Sequence, residues 1–141
     1  MKLDSVIPTP TQIEILYSQL KNRAFNISHG LLPSYETHEK FVINHPYRKW
    51  FIVKESEKIL GNVYVKYDNS VGLRCDLSIT VHQIDEILKT VAATITPLPA
   101  QPSVRFGGFF LNVSSENFDL QKKLLSLGLV ETERTYVIKK T

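Results

Sequence analysis

At 141 residues, with 43% hydrophobic and 22% charged side chains, the chain is sized for one domain with its own core, and its composition argues against disorder. A formal charge of +3 and a pI near 9.0 are mildly basic, but the cations are scattered from Lys2 to Lys140 without an arginine block or an aromatic-flanked basic stripe. That pattern argues against a nucleic-acid surface and leaves a mild field suited to an anionic small molecule. The lone Cys75 excludes an internal disulfide and suits a reducing cytoplasm. Four dispersed histidines show no metal-ligand spacing, and no apolar run resembles an export signal or a membrane span.

In chain order, Thr9-Pro10-Thr11-Gln12 reads as a helix start, with threonine as cap, proline in the first turn and glutamine reaching back to the cap amide. Ile13, Leu16, Tyr17 and Leu20 follow on one face. Arg23 to Pro33 is a polar loop, and Ser34 caps a second helix presenting Tyr35, His38, Phe41 and Val42, which stops before Pro46. From Arg48 the period becomes that of a strand. Trp50 to Val53 and Ile59 to Tyr67 form a hairpin about Ser56-Glu57-Lys58. A turn at Asp68-Asn69-Ser70 leads into alternation that sets Val71, Leu73, Cys75, Leu77 and Ile79 against Gly72, Arg74, Asp76 and Ser78. Thr80-Val81-His82-Gln83 is a capping box opening a helix with Ile84, Ile87, Leu88, Val91 and Ile95 on one face. A connector rich in proline and glycine leads to a buried strand from Phe109 to Val113. A helix with Leu120, Leu124 and Leu127 inward follows, and then a last strand from Val130 to Ile138. The expected order is ααβββαβαβ in a single domain, residues 1–141.

Leu111-Asn112-Val113-Ser114-Ser115-Glu116-Asn117, running to Leu120 and the stop Leu127-Gly128-Leu129, resembles the strand, helix and glycine stop of the GNAT superfamily of acyl-CoA-dependent N-acyltransferases. Ile59-Leu60-Gly61 and Val71-Gly72-Leu73 are similar to the openings of that family's third and fourth strands. The resemblance covers roughly residue 9 to the C-terminus. It implies an α+β fold with a mixed, mostly antiparallel twisted sheet flanked by helices and splayed between the fourth and fifth strands. It also implies acetyl-CoA or another acyl-CoA as co-substrate. The backbone of Leu77-Ser78-Ile79 and of Leu111-Asn112-Val113 would grip the pantetheine arm, and Asn117, on the first turn of the helix, would contact coenzyme A.

Two family features are missing. The family binds the coenzyme A pyrophosphate on a glycine-rich loop after the fourth strand, yet no glycine lies between Gly72 and Gly107. Ile79 passes straight into the capping box, which leaves the amides of Val81 and His82, with the side chains of His82, Lys122 or Lys123, to meet an anion. The family's tyrosine acid, seven residues after the asparagine, is replaced by Leu124, with Tyr64, Tyr67 and Tyr136 as the substitutes to consider.

Acyl transfer to an amine needs a base, oxyanion stabilisation and a proton for the leaving thiolate. Asp76, on the polar strand face, is the candidate base; the structural alternative is a pair with Arg74. In the first loop Arg23, Asn26, Ser28 and His29 can bind a polyol or phosphate acceptor, and His29 can act as base near neutral pH; turn and capping chemistry is the alternative. Cys75 reads as core, Trp50 and Tyr47 as sheet anchors. Two functions follow: N-acyltransfer to a polar small-molecule amine such as an amino or nucleotide sugar, or a non-catalytic module without coenzyme A affinity. The short last strand leaves an open sheet edge through which a homodimer can form.

Overall fold

The described residues 1–23 and 31–140 of the computed structural model run β1 (Lys2–Ser5), α1 (Pro10–Lys21), α2 (Tyr35–Ile43), β2 (Lys49–Glu55), β3 (Lys58–Val65), β4 (Ser70–Cys75), α3 (Val81–Thr94), β5 (Phe110–Leu111) and α4 (Phe118–Ser126). The strands lie in the order β1-β2-β3-β4-β5, antiparallel except for the parallel β4–β5 pair. The α+β class and the mixed sheet flanked by helices are as the sequence predicts. Differences lie at the two ends of the chain.

The helix starts follow their local chemistry. Thr9 accepts the Gln12 N–H, Ser34 the Thr37 N–H, and Thr80 and Gln83 complete a reciprocal capping box. Gln12 differs in one respect from expectation. Its Oε1 takes the Ile7 N–H at 2.6 Å and its Nε2 reaches the Ser5 carbonyl at 3.3 Å, so it ties α1 to β1 and leaves the cap amide alone.

Strand alternation divides the core into two layers. Ile13, Leu16 and Val42 of α1 and α2 pack on Trp50 and Ile52, while Ile84, Ile87, Val91 and Leu124 of α3 and α4 pack on Val53, Val63, Val65 and Val71. The switch of face along β3 comes from a bulge. Val53 pairs with Gly61 and Lys54 with Ile59, so Leu60 is the extra residue, and it packs in the α3–α4 layer while Ile59 packs in the other. Gly72 is glycine by close approach, because a Cβ there would sit 1.9 Å from the Tyr64 ring.

β5 is short. Only Ser70 and Val71 pair with Phe110 and Leu111, and what registers the strand is Asn69, fully buried at φ 71°. Its Nδ2 donates to the carbonyls of Leu98 (2.9 Å) and Phe106 (2.7 Å), its Oδ1 accepts the Leu98 N–H (2.8 Å), and its own carbonyl takes the Phe110 N–H (3.4 Å). One side chain thus holds both ends of the connector against the β3–β4 turn.

The expected last strand is absent. α4 closes through Gly128 at φ 89°, with the Leu129 N–H on the Leu124 carbonyl. Residues 130–140 are exposed and in no strand. Strand propensity reports packing on a neighbour, and no residue of this segment is buried.

Asn69→Ala should lose roughly 3 kcal/mol of stability, at about 1 kcal/mol for each side-chain hydrogen bond. Asn69→Gly, which tolerates positive φ, should recover about 1 kcal/mol of that. Denaturant titration of the three proteins checks both the size and the order.

Candidate functional site

Beyond Val71 and Leu111 the two parallel strands part. β4 continues to Cys75 with β3 on its other side, and Asn112-Val113-Ser114 bends away toward the α4 cap. The gap opens into a cleft of about 1020 Å³ that reaches both faces of the sheet. Gln19, His38, Tyr47 and Trp50 line it on the α1–α2 side, Asn117, Leu120 and Lys123 on the α4 side, and Cys75 to Ile79 with Asn112 to Ser114 between.

Most of the residues singled out from the sequence meet here. Asp76, Leu77, Ser78, Ile79, Asn112, Asn117 and Arg23 all line the cleft. Val81 and His82 do not: His82 Nε2 pairs with Glu86 at 2.6 Å on the outer surface of α3, so only the first-turn amides of that helix face the end of the β4 turn. Asn26, Ser28 and His29 lie outside the described residues.

Three local expectations are corrected. β4 ends at Cys75, and Leu77-Ser78 form a turn closed by the Ile79 N–H on the Asp76 carbonyl at 3.0 Å, so Leu77 to Ile79 do not continue the strand. Alternation persists in the sequence, but the β3–β4 ladder stops at the Gly61–Cys75 pair, next to the Leu60 bulge. Asn117 is the cap of α4 rather than a first-turn residue, its Oδ1 accepting the Leu120 N–H at 3.2 Å. Arg74 is not Asp76's partner. Its guanidinium lies over the Tyr64 ring, 5.2 Å from the centroid, and Nη2 donates to the Tyr64 hydroxyl at 3.2 Å. That leaves Asp76 as an exposed carboxylate at the cleft.

The missing tyrosine acid has no replacement in line. Leu124 is core, and Tyr67 and Tyr136 are surface residues. Tyr64 stacks on Tyr47 with centroids 4.0 Å apart. Burial pushes the Tyr47 hydroxyl far up and raises Tyr64 as well, with Arg23 opposing in both cases. Burial, helped by Asp76, lifts the Cys75 thiol to about 12, so it packs and does not attack.

Two features of the cleft went unread in the sequence. Trp50 Nε1 donates to Asn62 Oδ1 at 3.0 Å, and Asn62 Nδ2 to Gln19 Oε1 at 2.6 Å. The relay ends on Gln19 Nε2, which with His38 Nε2 is buried without a partner among the described residues. Asn62 amid Leu60-Gly61-Val63 was the available signal, since a polar residue inside a buried strand needs a partner. The second is the clamp made by Lys123, which the sequence offers only as a cation for an anion. Its ammonium donates to the carbonyls of Leu77 (3.2 Å) and Ile79 (2.7 Å) and pairs with Asp119 (2.7 Å), clamping α4 to the turn after β4.

A solved structure described as a possible acetyltransferase from Clostridium difficile 630 is similar in fold, with a TM-score of 0.57 at 14% identity over 99% of this chain and 97% of that one. The fold is GNAT-like. No family model and no curated protein matches the sequence. Among the described residues no group of His, Cys, Asp and Glu could hold a metal ion, and no helix is long and apolar enough to cross a membrane.

Lys123→Met, which keeps the stem and removes the three donors, should cost about 2 kcal/mol, the worth of one or two hydrogen bonds to a charged group. Equilibrium unfolding measures it, and faster amide exchange at Ile79 would locate the loss at the turn. Burial also holds His38 below its ordinary 6.5, against a smaller opposing contribution from the Ile13 backbone, and lowers His45 in the same direction. The unfolded chain therefore binds these protons first. The stability they report is whole above 6.5 and is lost as the pH falls through that value toward the folded pKa. Melting temperature should drop across that window, and His38→Gln should flatten the slope.

Proposed function

We propose that this chain is an N-acyltransferase that moves an acetyl or other acyl group from coenzyme A to the amine of a polar small molecule, with an amino or nucleotide sugar as the first acceptor to try. The observation that carries this reading is the cleft that passes through the sheet where β4 and β5 part. An acyl donor entering from the α4 side and an amine from the α1–α2 side can meet only in such a gap.

The residues fit the donor unevenly. Past Val71, the edge of β4 that faces away from β3 has backbone groups unmatched by β5, which suits an amide-bearing arm laid between the strands. Its phosphates would meet the first-turn amides at Val81 and His82, with the helix dipole adding favourable potential. The acyl-CoA thioester supplies an activated carbonyl and a thiolate leaving group.

Asp76 is the residue to take a proton from the acceptor ammonium, freeing the nitrogen lone pair for the thioester carbon as the C–S bond breaks. The second amine proton ends on the departing sulfur, so charge and protons balance without a tyrosine. Gln19 Nε2, without a partner among the described residues, can donate to an acceptor oxygen, and the Arg23 guanidinium suits a phosphate or polyol. Asn26, Ser28 and His29 remain candidates from the adjoining loop, His29 as a second base.

A second reading has its own observation. Lys123 spends all three of its N–H donors within the chain, so the place where an anion would want a free cation holds a neutralised one. On that reading the protein is a GNAT-fold binding module without coenzyme A affinity.

Calorimetric titration of acetyl-CoA separates the two. Saturable binding, followed by turnover on an amine panel, is expected for the enzyme. Asp76→Asn should then leave donor binding unchanged and lower turnover by about 10²–10⁴, the usual worth of a positioned base. No heat at millimolar ligand overturns the acyltransferase reading and leaves the module.

A further inference from the structure

We propose that the α1–α2 half of the cleft holds an anion site made by the guanidiniums of Arg23 and Arg74, and that the acceptor is an amine bearing its own carboxylate or phosphate several bonds away. This deepens the acyltransferase reading and rests on it only in calling the bound molecule an acceptor.

Charge pairing inside the chain leaves these two cations over. Both line the cleft and are half-buried, and neither meets a carboxylate in the ion pairs of the described residues. Residues 24–30 contain neither aspartate nor glutamate, so every acidic side chain is among those described. The neighbouring phenols do not compensate either, because burial raises both Tyr47 and Tyr64 and keeps them neutral. A half-buried guanidinium without a counter-charge carries a desolvation cost, which a bound anion offsets.

Both cations act on one aromatic pair. Tyr64 stacks on Tyr47 at 4.0 Å and its ring lies over Gly72. Arg74 is laid over that ring, 5.2 Å from the centroid, and among the described residues it gives one hydrogen bond, to the Tyr64 hydroxyl at 3.2 Å. A guanidinium has five N–H donors, so the fork is largely unspent. Arg23, just past α1, is near enough to oppose the rise of both phenols. A guanidinium held on a stacked pair is pre-organised, and its forked donors match a carboxylate or phosphate.

The remaining charges of the cleft place the ligand's other end. Asp119 is held by Lys123 on the α4 side, and burial holds His38 below its ordinary value, which leaves Asp76 for an ammonium. Roughly 13 Å of extended chain separates Asp76 from Gly72, and the Arg74 guanidinium lies beside the ring above Gly72. The ammonium and the anion therefore stand several bonds apart in one molecule. An amine without the anion brings only positive charge toward two guanidiniums, and like-charge repulsion rejects it.

Amines that differ only in the anion test this: phosphoethanolamine against ethanolamine, glucosamine phosphate against glucosamine, and γ-aminobutyrate against butylamine, each titrated into the full chain and followed by amide chemical shifts. The anionic member of at least one pair should bind about tenfold tighter or more, and the phosphate and carboxylate pairs identify the anion. Arg23→Gln and Arg74→Gln should each remove most of that preference while leaving the neutral amines and acetyl-CoA unchanged, and Arg74→Lys, which keeps the charge, should restore part of it. Circular dichroism checks that Arg74→Gln folds, and Arg23→Gln, outside the sheet, gives the same reading without that risk. No preference in any pair, a preference that survives the double substitution, or a loss of acetyl-CoA binding in place of amine binding would each overturn the anion site. Arginine-dependent binding without acyl transfer upholds the site and sinks the acyltransferase reading; acyl transfer to amines without regard to the anion does the reverse.

Discussion

The geometry of this molecule turns on a single buried amide. β4 and β5 share two residue pairs, too few to fix a parallel strand by backbone bonding alone, and the connector between them runs through Pro97, Pro99 and Pro102. Asn69 replaces the missing ladder by bonding that connector at Leu98 and Phe106 while its own backbone turns β3 into β4. Because the clamp sits at the beginning of both strands, they are held together there and free to diverge beyond. Were β5 paired along its length, the sheet would be closed and the two faces would not communicate.

What the divergence exposes depends on neighbouring constraints. The Leu60 bulge switches the facing of β3 within one residue, so Ile59, Gly61 and Asn62 all border the cleft. Asn62 is thereby brought between Trp50 and Gln19, where its amide is satisfied on both sides. Next to it the Gly72 gap accepts the Tyr64 ring, which lets Tyr64 stack on Tyr47 and receive Arg74. That arrangement draws Arg74 away from Asp76. The freedom of the candidate base is thus a consequence of packing two strands away.

The parts legible in the sequence are those with short-range causes. Ser34, Thr80 and Thr9 cap helices because their oxygens reach amides three residues on, and the α3 pattern from Ile84 to Val91 needs no knowledge of its partner. The resemblance at Leu111 to Asn117 found the gap because strand, cap and helix follow one another there. Features decided by distant partners were not legible. β1 is four residues with one leucine and two charges, and it forms because Asp4 meets Lys54 and its backbone meets β2. Leu77 and Ile79 continue an alternation that the sheet does not continue, and Lys123, read as a cation for an anion, is held by carbonyls 44 and 46 residues away in the chain. Val130 to Ile138 shows the opposite failure, a strand pattern in a segment that stays exposed and unpaired.

The turn after β4 is also ordered without a glycine. A glycine loop turns its amides toward an anion, so the turn is stabilised by the ligand. Here the carbonyls of Leu77 and Ile79 point toward α4, and a turn with that polarity needs a cation. Lys123 provides it from within the chain, with Asp119 offsetting the charge. The turn is therefore ordered before any ligand arrives, and an anion approaching it meets carbonyl oxygens on one side and the α3 first-turn amides on the other. Favourable anion contacts are confined to the helix end, a smaller surface than a glycine loop offers.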